Sequence, residues 1–269
     1  MKRSSRTLLI LSVLWLALSA FAHAADDFDA AAEQQILHLV NQARAQQGLQ
    51  PLQMDTRLVT AARLHSRRMA QANALSHQLP GEPDLNSRLE PGGLHFDVSG
   101  ENVAVNTSVL GAHQGLMNSP PHRQNILTPR FNAIGIGVLR ANGVFWVTQD
   151  FIEQLPEISA IDAEAQVARQ FNELRRAARK QPLPLYSNPK LRELACQMAS
   201  RDSVSAARAG SLPNVARVVA LAAANLSRLP AFARDTITAP ASGLSVGACY
   251  ASSRTYPAPV YWILVATYF

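Results

Sequence analysis

Three short polar motifs in the first half of the chain hold the side chains with the most chemistry: Ser76-His77, Gly100-Glu101-Asn102 and Pro121-His122-Arg123. Two neutral imidazoles and a carboxylate are N and O donors of the kind that take zinc at about 2.0–2.2 Å, with a fourth position open to water or substrate. A carboxylate beside such a metal is alternatively a general base on that water, which would make a hydrolase. The same groups have structural uses of equal weight. Glu101 can accept backbone N–H groups and pin a loop, and His122 can cap a helix end. Nucleophilic catalysis has the least support. Ser76 adjoins His77 where neighbours on an extended segment point to opposite faces, which leaves Ser99 and Ser119 as formal partners. No G-x-S-x-G elbow is expected, and the first half has no cysteine.

The elements that must position these groups follow from periodicity. Ile36, Leu39 and Val40 recur at helical spacing in a first helix over about residues 30–47, and Gly48 stops it. Asp55 caps a second helix whose apolar stripe is Leu58, Ala62, His65 and Met69, so His65 reads as a hydrogen-bonded core histidine. A polar stretch with Pro and Gly runs from 78 to 100, and a third helix covers about 108–118. Pro120 and Pro121 end it, so that His122 sits at a forced corner tied down by Arg123 and Asn125. His95 and His113 read as loop and surface residues. AIGIGVLR at 133–140 and VFWVTQDFI at 144–152 are strands joined by Ala141-Asn142-Gly143, with Phe145 and Trp146 as core. Helices flanking an antiparallel hairpin sheet predict an α/β/α sandwich.

The pattern then returns. Asn41 and Arg44 fall on Asn172 and Arg175, while Pro51, Leu52, Leu58 and Ala62 fall on Pro184, Leu185, Leu191 and Ala195 two residues further along. An insertion in the connecting loop accounts for the difference. VFWVTQDF likewise resembles VYWILVATYF at 260–269, and so long a period implies two tandem domains. The expected organisation is a leader at 1–24, a first domain at 25–152, a linker at 153–163 and a second copy at 164–269. No histidine follows His122, and the segment matching Gly100-Glu101-Asn102 is the apolar VARVVALAAA, so the second copy is degenerate and lacks the polar site. Its expected role is to cover the first domain, bind a protein partner or shape a joint groove.

Lys2, Arg3 and Arg6 precede an apolar run from Leu8 to Phe21 and the small-x-small triplet Ala22-His23-Ala24, the pattern of a secretory leader cleaved before Ala25. Ala25 is not the cysteine of a lipobox, and no second long apolar run follows, so an exported periplasmic or extracellular chain without a transmembrane segment is expected. The leader holds three of the net six positive charges, leaving +3, scattered and mostly arginine, which argues against a nucleic-acid partner. Cys196 and Cys249 are free to pair in an oxidising compartment; if both copies share one topology they face each other across the helix–sheet layer.

With NQAR at 41–44, IGIG at 134–137 and W-x-x-Q at 146–149, the three polar motifs closely resemble the CAP superfamily, which includes cysteine-rich secretory proteins, antigen 5 and pathogenesis-related proteins and whose bacterial branch is also called the SCP-domain family. The resemblance covers about 30–152. It implies the α/β/α fold, and a cleft in which His77 and His122 face Glu101, with Asn102 and Ser119 beside them and the two histidines able to hold zinc. The family's second glutamate is missing near Asn118 and Ser119, a departure shared with bacterial members. Three functions stay open: a module that binds a small-molecule, lipid or cell-envelope ligand; a zinc-dependent hydrolase with His77 and His122 on the metal and Glu101 as catalytic base; and a structural envelope protein.

Overall fold

A computed structural model describes residues 28–229, 231–232, 234–256 and 258–269; the expected leader lies outside them. The first half begins with α1 (Ala30–Ala45), capped by Asp29, then a two-residue β1 (Gln53–Met54) and α2 (Thr56–Ala72), capped by Asp55. The stretch expected as polar loop holds a short α3 (Leu85–Leu89) and then β2 (Phe96–Asn106), which contains Gly100-Glu101-Asn102 within it. Next come α4 (Val109–Asn118), α5 (Pro120–Leu127), β3 (Ala133–Ala141) and β4 (Val144–Gln154). The sheet order is β1-β3-β4-β2; all pairs are antiparallel except β1 with β3, so the sheet is mixed.

The third helix ends ahead of the prolines as expected, with α4 stopping at Asn118, but the prolines also open a further helix. Pro120 and Pro121 occupy the first positions of α5, where a fixed φ is preorganised and a missing N–H costs nothing. His122 therefore stands in the first turn of a new helix.

Isoleucine and glycine alternate in β3 for a packing reason. Ile134, Ile136 and Val138 join Ile36 and Val40 of α1 in one core layer. Gly135 and Gly137 face α2, where an added Cβ would lie 2.2 Å from the Leu58 carbonyl carbon and 2.4 Å from that of Ala62. Helix α2 thus crosses β3 at backbone contact, which only glycine allows.

The second half repeats this order: α6 (Ala160–Ala177), α7 (Pro189–Arg201), β5 (Val215–Ala223), α8 (Arg234–Thr238), β6 (Gly243–Ala251) and β7 (Val260–Tyr268), with sheet order β5-β7-β6. The connection between the sheets is shorter than the expected linker, since β4 runs to Gln154 and α6 starts at Ala160. Buried guanidinium clasps recur in both halves. Arg44 donates from Nε to the Gln50 carbonyl and from its terminal nitrogens to those of Ile126, Thr128 and Phe131, at 2.8–3.1 Å. Arg175 does the same to Gln181, Ile237 and Ala239. Asn41 and Asn172 clamp both backbone groups of Leu52 and Leu183, so Leu183, not Leu185, is the counterpart of Leu52, and the connecting loop holds no two-residue insertion. Cys196 on α7 and Cys249 on β6 are disulfide-bonded, with Cα atoms 5.0 Å apart.

The halves touch. His95, expected on a loop surface, is buried and bridges them, its ring nitrogens lying 3.2 and 3.0 Å from the carbonyl oxygens of Pro156 and Ala224. Arg228 donates to Glu153 across the same seam at 3.1 Å. His113 is likewise buried, on the inner face of α4.

Arg44→Ala leaves four carbonyls without their donor in a buried site, so urea unfolding should show a loss of about 4 kcal/mol. Arg44→Lys should recover little of it, because an ammonium cannot span the four acceptors of a planar fork.

Candidate functional site

Strand β2 is an edge of the first sheet, and its register fixes the site. Glu101 pairs with Asp150 and Asn102 with Gln149 across β2 and β4. Alternation then sends Glu101 and Asp150 to the α2 face and Asn102 and Gln149 to the α1 face.

On the α2 face lies a buried ionic cluster. Glu101 Oε1 accepts from His77 Nδ1 at 2.8 Å, and Oε2 accepts from Arg88 of α3 at 2.5 Å. Arg88 also reaches the His77 carbonyl at 3.3 Å and lies 3.6 Å from Glu82. Glu82 in turn meets His65 Nδ1 at 2.9 Å and Arg68 at 3.1 Å, while His65 Nε2 lies 2.9 Å from the Ser76 carbonyl. His65 is thus a core residue that anchors the turn carrying His77, as its place on the α2 stripe predicts. Burial pushes the Asp150 carboxyl well above its ordinary 3.8, and the neighbouring Glu101 charge adds to the effect. Both effects favour the neutral form of Asp150, whose Oδ1 is buried without a hydrogen-bond partner.

On the opposite face the amides lock α5 to the strand. Asn102 Nδ2 donates to the His122 carbonyl and to Gln149 Oε1, both at 3.1 Å. Asn125 Nδ2 donates to the Glu101 carbonyl at 3.0 Å and to Asn102 Oδ1 at 2.9 Å. The two histidines consequently meet at the sheet edge from opposite layers, ring centroids 6.1 Å apart and tilted by 34°. His77 keeps 56% of its side chain exposed. Partial burial holds the His122 imidazole below the ordinary histidine value, and a positive His77 lowers it further.

Of the residues expected in the cleft, His77, Glu101 and His122 converge. Asn102 does not line it; the residue is fully buried, and its amide is engaged by backbone and Gln149. Ser119 lies at the joint of α4 and α5, and its carbonyl accepts from Arg123. Arg88, Asp150 and Glu82 escaped the sequence reading. The signal for Asp150 was present in Thr148-Gln149-Asp150, three consecutive polar residues in the middle of an apolar strand. A G-x-S-x-G pattern, Gly243-Leu244-Ser245-Val246-Gly247, also occurs, but it lies inside β6 with Ser245 buried and donating to the Tyr186 carbonyl. It is not a strand-to-helix elbow.

A resident catalytic zinc takes three protein donors. Both Glu101 oxygens are engaged by His77 and Arg88, and no group of three or more metal-ligating side chains is assembled among the described residues. The histidine pair alone does not supply that donor set, and each Glu101 oxygen already accepts a hydrogen bond.

Asp150 gives a pH test with a definite sign. A carboxyl held neutral in the folded state and ionised in the unfolded one costs stability increasingly as pH rises above 3.8. Asp150→Asn removes that cost, so urea unfolding from pH 4 to 7 should show the variant gaining on the parent as pH rises. In an NMR titration His122 should titrate below the ordinary histidine range, with His77→Ala moving its midpoint upward.

Comparison with known proteins agrees with these motifs. The cysteine-rich secretory protein family model, CAP, matches residues 37–151. The uncharacterized protein YkwD of Bacillus subtilis is 36% identical over 121 residues, which are 45% of this chain and 46% of YkwD. The uncharacterized membrane protein YlbC of the same organism is 36% identical over 123 residues, 45% of this chain and 34% of its own. The chain spans less than half the length of either relative. The crystal structure of an extracellular SCP-domain protein from Bacillus anthracis is 34% identical, with a TM-score of 0.42 over 45% of this chain and 40% of that one. Residues 37–151 thus carry a domain that matches the CAP, or cysteine-rich secretory protein, family.

Proposed function

We propose that the chain is an exported binding module whose recognition point is the His77–His122 pair, and that it works without a resident metal. The observation that carries this reading is the engagement of Glu101. With one oxygen on His77 Nδ1 and the other on Arg88, the carboxylate orients an imidazole instead of reacting itself. Because a carboxylate only accepts, Nδ1 carries the hydrogen and the exposed Nε2 of neutral His77 is an acceptor. Two imidazole edges at an exposed sheet edge suit a small-molecule or envelope ligand that brings its own hydroxyl or amide groups. Export is supported by the leader pattern and by the Cys196–Cys249 bridge, which requires an oxidising compartment to persist. No helix among the described residues is long and apolar enough to cross a membrane.

Expression behind the native leader, purification without chelator or nickel, and mass spectrometry of metals and solvent extracts test the proposal. Metal content far below one ion per chain is expected, together with an organic ligand, co-purified or taken up saturably, that the His77→Ala/His122→Ala double variant loses without a change in melting. One tightly held zinc per chain, absent from the double variant, would overturn it.

A further inference from the structure

Several cavities open along the seam between the two halves, away from the histidine pair. One of about 560 Å³ lies between α3 with its following turn and the β6–β7 loop, within the usual range for small-molecule sites. The first half supplies the carboxylates of Asp84 and Glu90 and the amide of Asn86; the second supplies Ser252, the guanidinium of Arg254 and the ring of Tyr256. The Tyr256 ring is backed by Trp262, edge to face at 6.0 Å, and its backbone N–H donates to Ser253 Oγ. Ser253 is fixed in turn by Asp202 at the end of α7. Tyr256 and Ala258 also border a second cavity of about 210 Å³ lined by Ala222–Asn225, so the trough continues along the seam.

We infer that this trough is a glycan-binding site, built jointly by the two halves and separate from the histidine pair. Sugars present hydroxyls that donate and accept at once, and the trough offers acceptor carboxylates on one wall and a guanidinium and hydroxyls on the other, with the Asn86 amide. A braced aromatic ring gives the flat apolar platform on which the C–H face of a pyranose stacks. Two carboxylates against one guanidinium disfavour a polyanion, and the polar lining disfavours a lipid tail. A cavity of about 560 Å³ continued by one of about 210 Å³ has room for an oligosaccharide of two or three rings.

A glycan array of neutral and N-acetylated oligosaccharides, followed by calorimetry with triacetylchitotriose and maltotriose, tests the site on the full exported chain. Saturable binding with Kd below about 1 mM is expected for at least one oligosaccharide. Tyr256→Ala should weaken it about tenfold and Glu90→Gln, at an exposed position, roughly threefold, while Tyr256→Phe and His77→Ala leave it unchanged. The Tyr256→Phe control separates loss of the ring from loss of fold. Failure of every glycan to bind, binding of basic peptides in preference to sugars, or binding that survives Tyr256→Ala overturns the inference.

Discussion

A guanidinium with almost no access to water, Arg44, ties the end of α5 and the loop before β3 to the turn after α1. Those segments carry few regular hydrogen bonds of their own, and buried carbonyls need a donor. Arg44 supplies four. A second clasp completes the frame: Glu33 accepts two bonds from Arg63 on α2 and reaches the Val138 N–H of β3, joining both helical layers to the sheet. Both clasps return in the second half, as Arg175 and as Glu164 with Arg192 and the Ala248 N–H. These two ion-based devices, with glycines where a helix lies on the strand backbone, are what this topology requires.

The halves therefore separate scaffold from site. Matching Val144 to Val260 along the central strands places Ala266 where Asp150 stands and Val265 where Gln149 stands. Across the ladder, Val218 then stands in place of Glu101 and Val219 in place of Asn102. On α7, Leu194 and Ala195 replace His65 and Ser66, at matching distances from the clasp arginines Arg63 and Arg192 and from the left-handed C-caps Asn73 and Asp202. His65, Glu101 and Asp150, the buried members of the ionic cluster that can be matched, are each replaced by an apolar residue, and the sheet, its order and its helical cover persist.

Much of this was legible in the sequence where one local rule governed the outcome. Helical stripes, the Asn142-Gly143 turn, the hairpin strands and the Asn-x-x-Arg repeat each follow from periodicity or turn chemistry. The convergence of His77, Glu101 and His122 was legible only through family resemblance, since three sheet-edge contacts from separate layers leave no spacing signal. Prolines misled because the same residue ends one helix and starts the next, and the two roles differ only in whether helical residues follow. Asn102 was misplaced for a related reason: its neighbour Glu101 reaches the site, and strand alternation sends the next side chain to the other face. Arg88 gave no signal, because a lone arginine in a short helix looks like any solvated cation.

The cost of the cluster bears on function. Glu82, Glu101, Asp150, His65 and Arg88 are all withdrawn from water, and a buried ion network is commonly no more stable than apolar side chains of similar volume. The second half shows that substitution on the same topology, with valine, alanine and leucine filling the layer. Stability therefore does not explain why the first half keeps charged groups under its edge strand. What the cluster adds is orientation: Arg88 fixes Glu101, Glu101 fixes His77 Nδ1, and His65 holds the turn on which His77 rides. An imidazole more than half exposed, yet positioned from beneath by a buried carboxylate, is an arrangement whose only product is a defined direction for Nε2 at the surface.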